Sequence, residues 1–272
     1  MTAPPLSGAA FEELRRLFED ASGIDLGADK LRTVQTRLAC RLDALQLRTF
    51  EDYCHHLRSL GGVAERLVLV DLLTTHETYF FREPRHFQRL AESVATRFRG
   101  RSLRVWSAAC SSGEEAYSLA MTLSDVVPSG AWELLASDIS PHMIDIARTG
   151  IYPMKRLEYM PPQHLKRFCL RGIGAYDGMF QVAEELRNRV AFFENNLLSD
   201  MRPLGAFDAI FVRNVLIYFG QERREDILRR MLAQLRPRGL LFVGHAEPLQ
   251  GLALPLRRVD DAVFEGAESS TV

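Results

Sequence analysis

Glu114 and Glu115 stand side by side behind a single glycine, Gly113, in the run WSAACSSGEEAYSLA (106–120). Leu103, Val105 and Trp106 read as a strand, the small residues after them as a loop, and the stretch beyond Gly113 as an amphipathic helix. A strand–loop–helix is where nucleotides are often cradled, but a pyrophosphate wants several glycines, free backbone N–H groups and no acid nearby. Two carboxylates at a helix start repel a phosphate and attract a cation. They also complement the helix dipole, the ordinary role of first-turn acids. Asp138 ends the apolar run WELLASD, 25 residues after Gly113, where a carboxylate can accept hydrogen bonds from both hydroxyls of a ribose. A ribose, an ammonium, a sulfonium and no phosphate together describe S-adenosylmethionine.

These residues must be positioned by elements the sequence also announces. SLRVWSAA, WELLASD, RVAFFENN, FDAIFVRN and GLLFVGH are short apolar runs with β-forming residues, most of them separated by helix-like segments such as 114–126, 141–148 and 221–235. That alternation predicts a doubly wound parallel α/β sheet, with ligands beyond the carboxyl ends of its strands. Those ends are Ser107–Gly113, Asp138, Asn195–Leu197 and Arg213–Asn214. Before the sheet, residues 7 to about 75 read as helices. Ser7 is placed to cap the first, Thr49 and Asp52 have capping-box spacing, and Leu31, Val34, Leu38, Leu42 and Leu45 mark one face of the second. Residues 151 to about 192 break the alternation: Pro161-Pro162 opens a short helix, and CLRGIGAYDGMFQV reads as a glycine-bearing hairpin, so this stretch is expected to be an insertion. The tail 267–272 is expected to be disordered.

Composition narrows the function classes. The chain has 272 residues, 34 basic and 35 acidic, and a net charge of -1, so no global field favours nucleic acid or a membrane surface. The four cysteines form no CxxC pair, and His55-His56 lack metal-ligand spacing, so no metal site is expected. No apolar run is long enough to span a bilayer and no leader pattern opens the chain, which predicts a cytoplasmic, reducing setting.

The segments TTHETYFFREPRHF (74–87), RVWSAACSSGEEAYSLAM (104–121), ASDIS (136–140), NNLL (195–198), FDAIFVRNVLIYF (207–219) and GLLFVGHAEPL occur in that order. Together they closely resemble the chemotaxis receptor methyltransferase family, CheR, over about residues 7–266. The resemblance implies a Rossmann-like S-adenosylmethionine-dependent methyltransferase domain with a small inserted β-subdomain, preceded by an all-helical domain. The boundaries expected on this sequence are 1–73 for the helical receptor-recognition domain, 74–90 for a linker at the cofactor site, and 91–266 for the methyltransferase domain with its insertion at 151–192. The implied activity is methyl transfer to glutamate side chains on the cytoplasmic helices of chemoreceptors, with S-adenosylhomocysteine as product.

By resemblance, roles carry over position by position. His76, Thr78 and Arg82 would contact the cofactor, Arg82 clamping its methionine carboxylate. His76 departs from the asparagine common in the family. Glu114 would meet the ammonium and Asp138 the ribose, while Asn196 and Leu197 would line the adenine. Arg213 and Asn214 would lie where cofactor and substrate meet, Arg213 orienting the incoming carboxylate and Tyr218 shaping its pocket. Arg37 and Arg41, neighbours on one helix face, would meet acidic receptor helices. Gly172 and Gly174, in the hairpin, would help grip a receptor C-terminal pentapeptide. A monomer is the expected state. The alternatives are a silent cofactor-binding sensor or scaffold, and a methyltransferase on another substrate.

Overall fold

The computed structural model describes residues 4–127 and 130–266; the tail expected to be disordered (267–272) lies outside the described residues. The chain divides into two units, Met1–Thr75 with Tyr218–Arg223, and His76–Ile217 with Arg224–Val272. The helical unit holds α1 (Gly8–Ser22), α2 (Leu31–Ala44), α3 (Phe50–Arg58) and α4 (Val63–Leu73). Ser7 caps α1 by accepting from the Ala10 N–H, and Thr49 and Asp52 close a reciprocal capping box on α3, as their spacing predicts. Phe11, Leu14 and Phe18 of α1, Val34, Leu38 and Leu42 of α2 and Tyr53 and Leu57 of α3 are buried together with Leu69 and Leu73 of α4. Leucine stripes at helical spacing thus make the core of this unit.

Arg37 and Arg41, expected to face receptor helices, are partly buried and make bonds within the helical unit. Arg37 Nη1 donates to the carbonyls of Leu72, Leu73 and Thr74 at 3.2, 3.0 and 3.0 Å, satisfying orphan acceptors at the end of α4. Arg41 grips Glu65 with two bonds of 2.8 Å, and the Tyr53 hydroxyl donates to the same carboxylate at 2.9 Å. Both guanidinium groups are engaged inside the unit. The exposed arginines of this region are Arg32 and Arg48.

The second unit runs α5 (Arg85–Thr96), β1 (Leu103–Ala108), α6 (Glu114–Val126), β2 (Trp132–Asp138), α7 (Pro141–Thr149), β3 (Ile151–Pro153), α8 (Pro162–Phe168), β4 (Cys169–Arg171), β5 (Met179–Val182), α9 (Glu184–Arg187), β6 (Val190–Glu194), β7 (Phe207–Val212), α10 (Gln221–Ala233, shared between the two units), β8 (Leu235–Val243), β9 (Leu256–Asp260) and β10 (Val263–Gly266). A seven-stranded sheet has the order β6-β2-β1-β7-β8-β10-β9. The first five strands pair in parallel, so the order reverses between β1 and β7, the switch point at which such sheets leave a crevice. All six residues of β7 are buried, the pattern of a strand covered on both faces. The Trp106 indole within this core donates to Ser137 Oγ at 3.0 Å.

The sheet is mixed rather than wholly parallel: β10 pairs antiparallel with β8 and β9. Nothing in the hydrophobic pattern announced that hairpin, because β9 carries Arg257 and Arg258 on an exposed edge. The insertion forms its own antiparallel sheet, β3-β5-β4, a hairpin as read from the glycines plus a third strand from Ile151–Pro153. Gly172 sits where its turn closes: an added Cβ would lie 2.0 Å from the Tyr176 carbonyl oxygen.

Candidate active site

Polar side chains gather at the carboxyl ends of β1, β2 and β7, where the α/β topology leaves room. Gly113 has φ 95°, and an added Cβ would meet Ala147 Cβ at 2.7 Å, so the turn needs glycine on conformation and on space. Helix α6 starts at once, and its two leading acids part company. Glu115 turns to the sheet, accepting from Ser107 Oγ at 2.7 Å and pairing with Arg213 at 2.7 Å. Glu114, only 1% exposed, accepts from Ser112 Oγ at 2.6 Å through Oε2. Its Oε1 has no hydrogen-bond partner; the nearest cation, Arg156, is 3.5 Å away and donates to the Thr78 carbonyl. Burial pushes the Glu114 carboxyl above its ordinary value, against the pull of Ser112.

Asp138 ends β2 and is also buried. Oδ2 accepts from the Ser111 N–H at 2.8 Å and Oδ1 from the Ser140 N–H at 3.0 Å. The Ile139 N–H also acts on this carboxylate, which is a multiple acceptor at the end of β2, of the kind a ribose hydroxyl can meet. Burial raises this carboxyl too, with the backbone N–H groups and the nearby His76 pulling it back down. The loop after β1 is held to the segment before α5: Ser111 Oγ donates to the His76 carbonyl at 3.4 Å, and the Phe81 N–H donates to Ser118 Oγ at 2.9 Å. Thr78 is buried, whereas Arg82 is half-buried, donating to the Glu77 carbonyl at 2.9 Å with its guanidinium 5.7 Å from the Tyr79 ring centroid. After β6, Asn196 Oδ1 accepts from the Leu198 N–H at 2.9 Å, which turns the chain, and Leu197 is buried.

Arg213 does not reach outward as a substrate-orienting cation would. Its side chain is 1% exposed and lies between Glu115 and Glu83, at 2.7 and 3.0 Å, donating also to the Arg82 carbonyl. Its terminal nitrogens are engaged by those groups, while Nε has no hydrogen-bond partner among the described residues. The charge of Arg213 and its hydrogen bond hold the Glu83 carboxyl below its usual value despite burial. Asn214 comes next with φ 59°, its Nδ2 3.4 Å from Glu83 Oε1. Tyr218 belongs to the helical unit, where it lines a cavity of about 310 Å³ with Asp25, Thr33 and Thr74.

Glu83, His86 and His245 bring potential ligand atoms within 4.8 Å of one another. The Arg213 guanidinium already supplies the cation against Glu83, and burial together with that same charge pushes the His86 imidazole down to about 4. Sequence reasoning passed over Glu83, Ser111, Ser112, Arg156 and Glu247. The strand-end rule could have found Glu247, because GHAEP comes after β8 as RN comes after β7. Nothing local marks Arg156, which arrives from the insertion.

The chemistry of the acids fits S-adenosylmethionine. Glu114 is a buried carboxylate with one oxygen that accepts no hydrogen bond among the described residues, suited to a cation, and Asp138 is a buried carboxylate at a strand end, suited to a diol. The family model described as CheR methyltransferase, SAM binding domain, matches residues 76–262, and that described as CheR methyltransferase, all-alpha domain, matches residues 9–74. The chain is 44% identical over 250 residues to the chemotaxis protein methyltransferase of Salmonella typhimurium, covering 91% of this chain and 86% of that one. It is 43% identical over 261 residues to chemotaxis protein methyltransferase 2 of Pseudomonas aeruginosa, covering 94% and 92%. Against the Escherichia coli chemotaxis protein methyltransferase the identity is 44% over 245 residues, covering 89% and 85%. The chain therefore belongs to the CheR methyltransferase family, with a helical domain preceding an S-adenosylmethionine-binding methyltransferase domain.

Proposed function

We propose that this methyltransferase esterifies glutamate side chains on the cytoplasmic helices of chemoreceptors. The observation that carries the reading is the pair of buried acids: Glu114 at the start of α6, with an oxygen that accepts no hydrogen bond among the described residues, and Asp138 at the end of β2, held by backbone N–H groups. The names of the relatives, all chemotaxis protein methyltransferases, support the setting. In this assignment Asp138 holds the ribose, Glu114 the ammonium, Asn196 and Leu197 the adenine side, and His76, Thr78, Arg82 and Asn214 complete the enclosure. S-adenosylmethionine, when bound, supplies a methyl group on a cationic sulfur, an electrophile that needs no further activation. A glutamate carboxylate, with an ordinary pKa of ~4.3, is already the nucleophile at neutral pH. No proton has to leave, so no residue of this chain is asked to act as a general base. The work left to the chain is alignment and exclusion of water. Arg213 contributes indirectly, by fixing Glu115 and Glu83, and Tyr218 is assigned to the substrate side.

The receptor would be met by the exposed basic residues around α2, Arg32 and Arg48, rather than by Arg37 and Arg41. A C-terminal receptor pentapeptide would add to β4, the edge of the small sheet, as an extra strand. Supporting this, Leu170, Ile173 and Tyr176 are exposed there at 59%, 82% and 57% and border a cavity of about 370 Å³ with Gly172. The chain acts as a monomer in this reading.

Isothermal titration with S-adenosylhomocysteine, then transfer of labelled methyl to a receptor cytoplasmic fragment, tests the proposal. Binding lost in Asp138→Ala, and label released as methanol by mild alkali, are expected of a carboxyl methyl ester. Alkali-stable label would overturn the glutamate assignment, and binding without any transfer would favour a sensor.

A further inference from the structure

Glu247 is 1% exposed and carries a carboxylate that no arginine, lysine or histidine touches among the described residues. Three acids buried to a similar degree are paired with arginines: Glu65 with Arg41, Asp208 with Arg101 and Arg236, Glu265 with Arg97 and Arg257. Asp138, like Glu247, is met by backbone N–H groups. Glu247 is compensated by backbone alone. Oε2 accepts from the N–H groups of Asn214 at 2.7 Å and Gly244 at 2.6 Å, while Oε1 accepts from Leu216 at 2.6 Å and Ile217 at 3.4 Å. Burial raises this carboxyl above its ordinary value and those four N–H groups oppose the rise. An isolated buried carboxylate is costly, so the four donors are what keeps it there.

The donors come from two places that matter. Gly244 directly follows β8, and Asn214, Leu216 and Ile217 form the segment that leaves β7 at the switch point. Asn214 has φ 59°, in the left-handed region that asparagine adopts more readily than most side-chain-bearing residues, and the Glu247 bond to its N–H fixes the turn there. The packing is tight enough that a Cβ on Gly244 would lie 2.5 Å from Asn214 Nδ2 and 2.8 Å from Glu247 Oε2.

We propose that Glu247 is a positioning residue: its carboxylate gathers the backbone of 214–217 onto the end of β8 and so presents Asn214 to the cofactor. The inference rests on the reading of Asn214 as a cofactor contact. It differs from a purely structural role in what it moves. Glutamine in place of Glu247 would turn an amide N–H₂ toward two backbone N–H groups, releasing the segment while leaving the sheet and helices in place.

The test is the full chain with Glu247→Gln and Gly244→Ala, which disturb the same four bonds from opposite sides, and Glu265→Gln as a control in a buried acid remote from the segment. Expected for both test variants is a rise of roughly tenfold or more in the S-adenosylhomocysteine Kd and the S-adenosylmethionine KM, with kcat within about threefold, the signature of lost cofactor binding. Glu265→Gln should lower the melting temperature and leave Kd unchanged. A test variant that melts earlier but binds with native Kd overturns the proposal, and so does a loss confined to kcat. Should Glu247→Gln fail to fold, Gly244→Ala with native Kd would still overturn it. A native chain that does not bind S-adenosylhomocysteine would instead sink the cofactor reading and the proposal with it.

Discussion

The helical unit and the α/β unit each set an arginine against carboxylates, with opposite results. Arg41 meets one acid, Glu65, through two 2.8 Å bonds, and Tyr53 takes up a remaining lone pair. The group closes on itself, with Arg41 and the two hydrogen bonds holding the Glu65 carboxyl below its usual value despite burial. Arg213 is stretched between Glu115 and Glu83, while the neighbouring acids Glu114 and Asp138 are left with acceptor capacity and raised pKa values. A satisfied network rigidifies a core, whereas a partly satisfied one is costly until a ligand completes it. The first kind belongs to a scaffold and the second to a binding site.

Substitutions can break that distinction, and the largest effect is expected at Asp138. If Asp138 holds the ribose as proposed, Asp138→Ala removes the acceptor of its hydroxyl hydrogen bonds, each worth about 1.5–3 kcal/mol when a charged group accepts. A loss of roughly a hundredfold or more in S-adenosylhomocysteine affinity is expected by calorimetry, with a much smaller change in melting temperature. A native-like Kd would place the nucleoside elsewhere.

Arg41→Ala should show the reverse. It strands buried Glu65, so stability measured by denaturant titration should fall by roughly 2–4 kcal/mol, below the full cost of breaking a buried pair because Arg41 is partly exposed. Cofactor affinity should be unmoved, which would separate the two arginine clusters cleanly. Arg213→Lys keeps the charge but cannot span Glu115, Glu83 and the Arg82 carbonyl with one ammonium. Turnover should fall about tenfold with a matching rise in cofactor KM, whereas a loss in kcat alone would return Arg213 to the reacting carboxylate.

The smallest effect is a pH dependence. Glu114 has a folded-state pKa raised by burial, so protonation stabilises the ligand-free chain below that value, and stability is lost as pH rises from the ordinary carboxylate range through it. An ammonium ligand needs the anion and reverses the preference. Affinity for S-adenosylhomocysteine should therefore decline as pH drops through the raised value, and Glu114→Gln should bind more weakly with a flatter profile. An unchanged slope in that variant would assign the dependence to Asp138.

Much of this was legible in the residues. Periodicity placed the helices of 7–75 and the five parallel strands because one buried face or two leave a pattern of fixed period. The strand-end rule placed Asp138, Asn196 and Arg213 near one another and near the loop that leads into Glu114. What it could not supply was direction. Arg37, Arg41 and Arg213 all read as available cations, yet their partners lie 24 to 98 or more positions away in the chain. Pairing at that separation depends on which helix end or strand end the fold brings alongside.

By itself the sequence determined the class of ligand and the frame that holds it: one glycine, two acids and a third acid at the next strand end are local features, set by residue type and period. Only the tertiary structure decided which charges are engaged and which are left over. Burial and pairing are properties of the assembled core, where the Arg213 guanidinium commits its terminal nitrogens to Glu115 and Glu83.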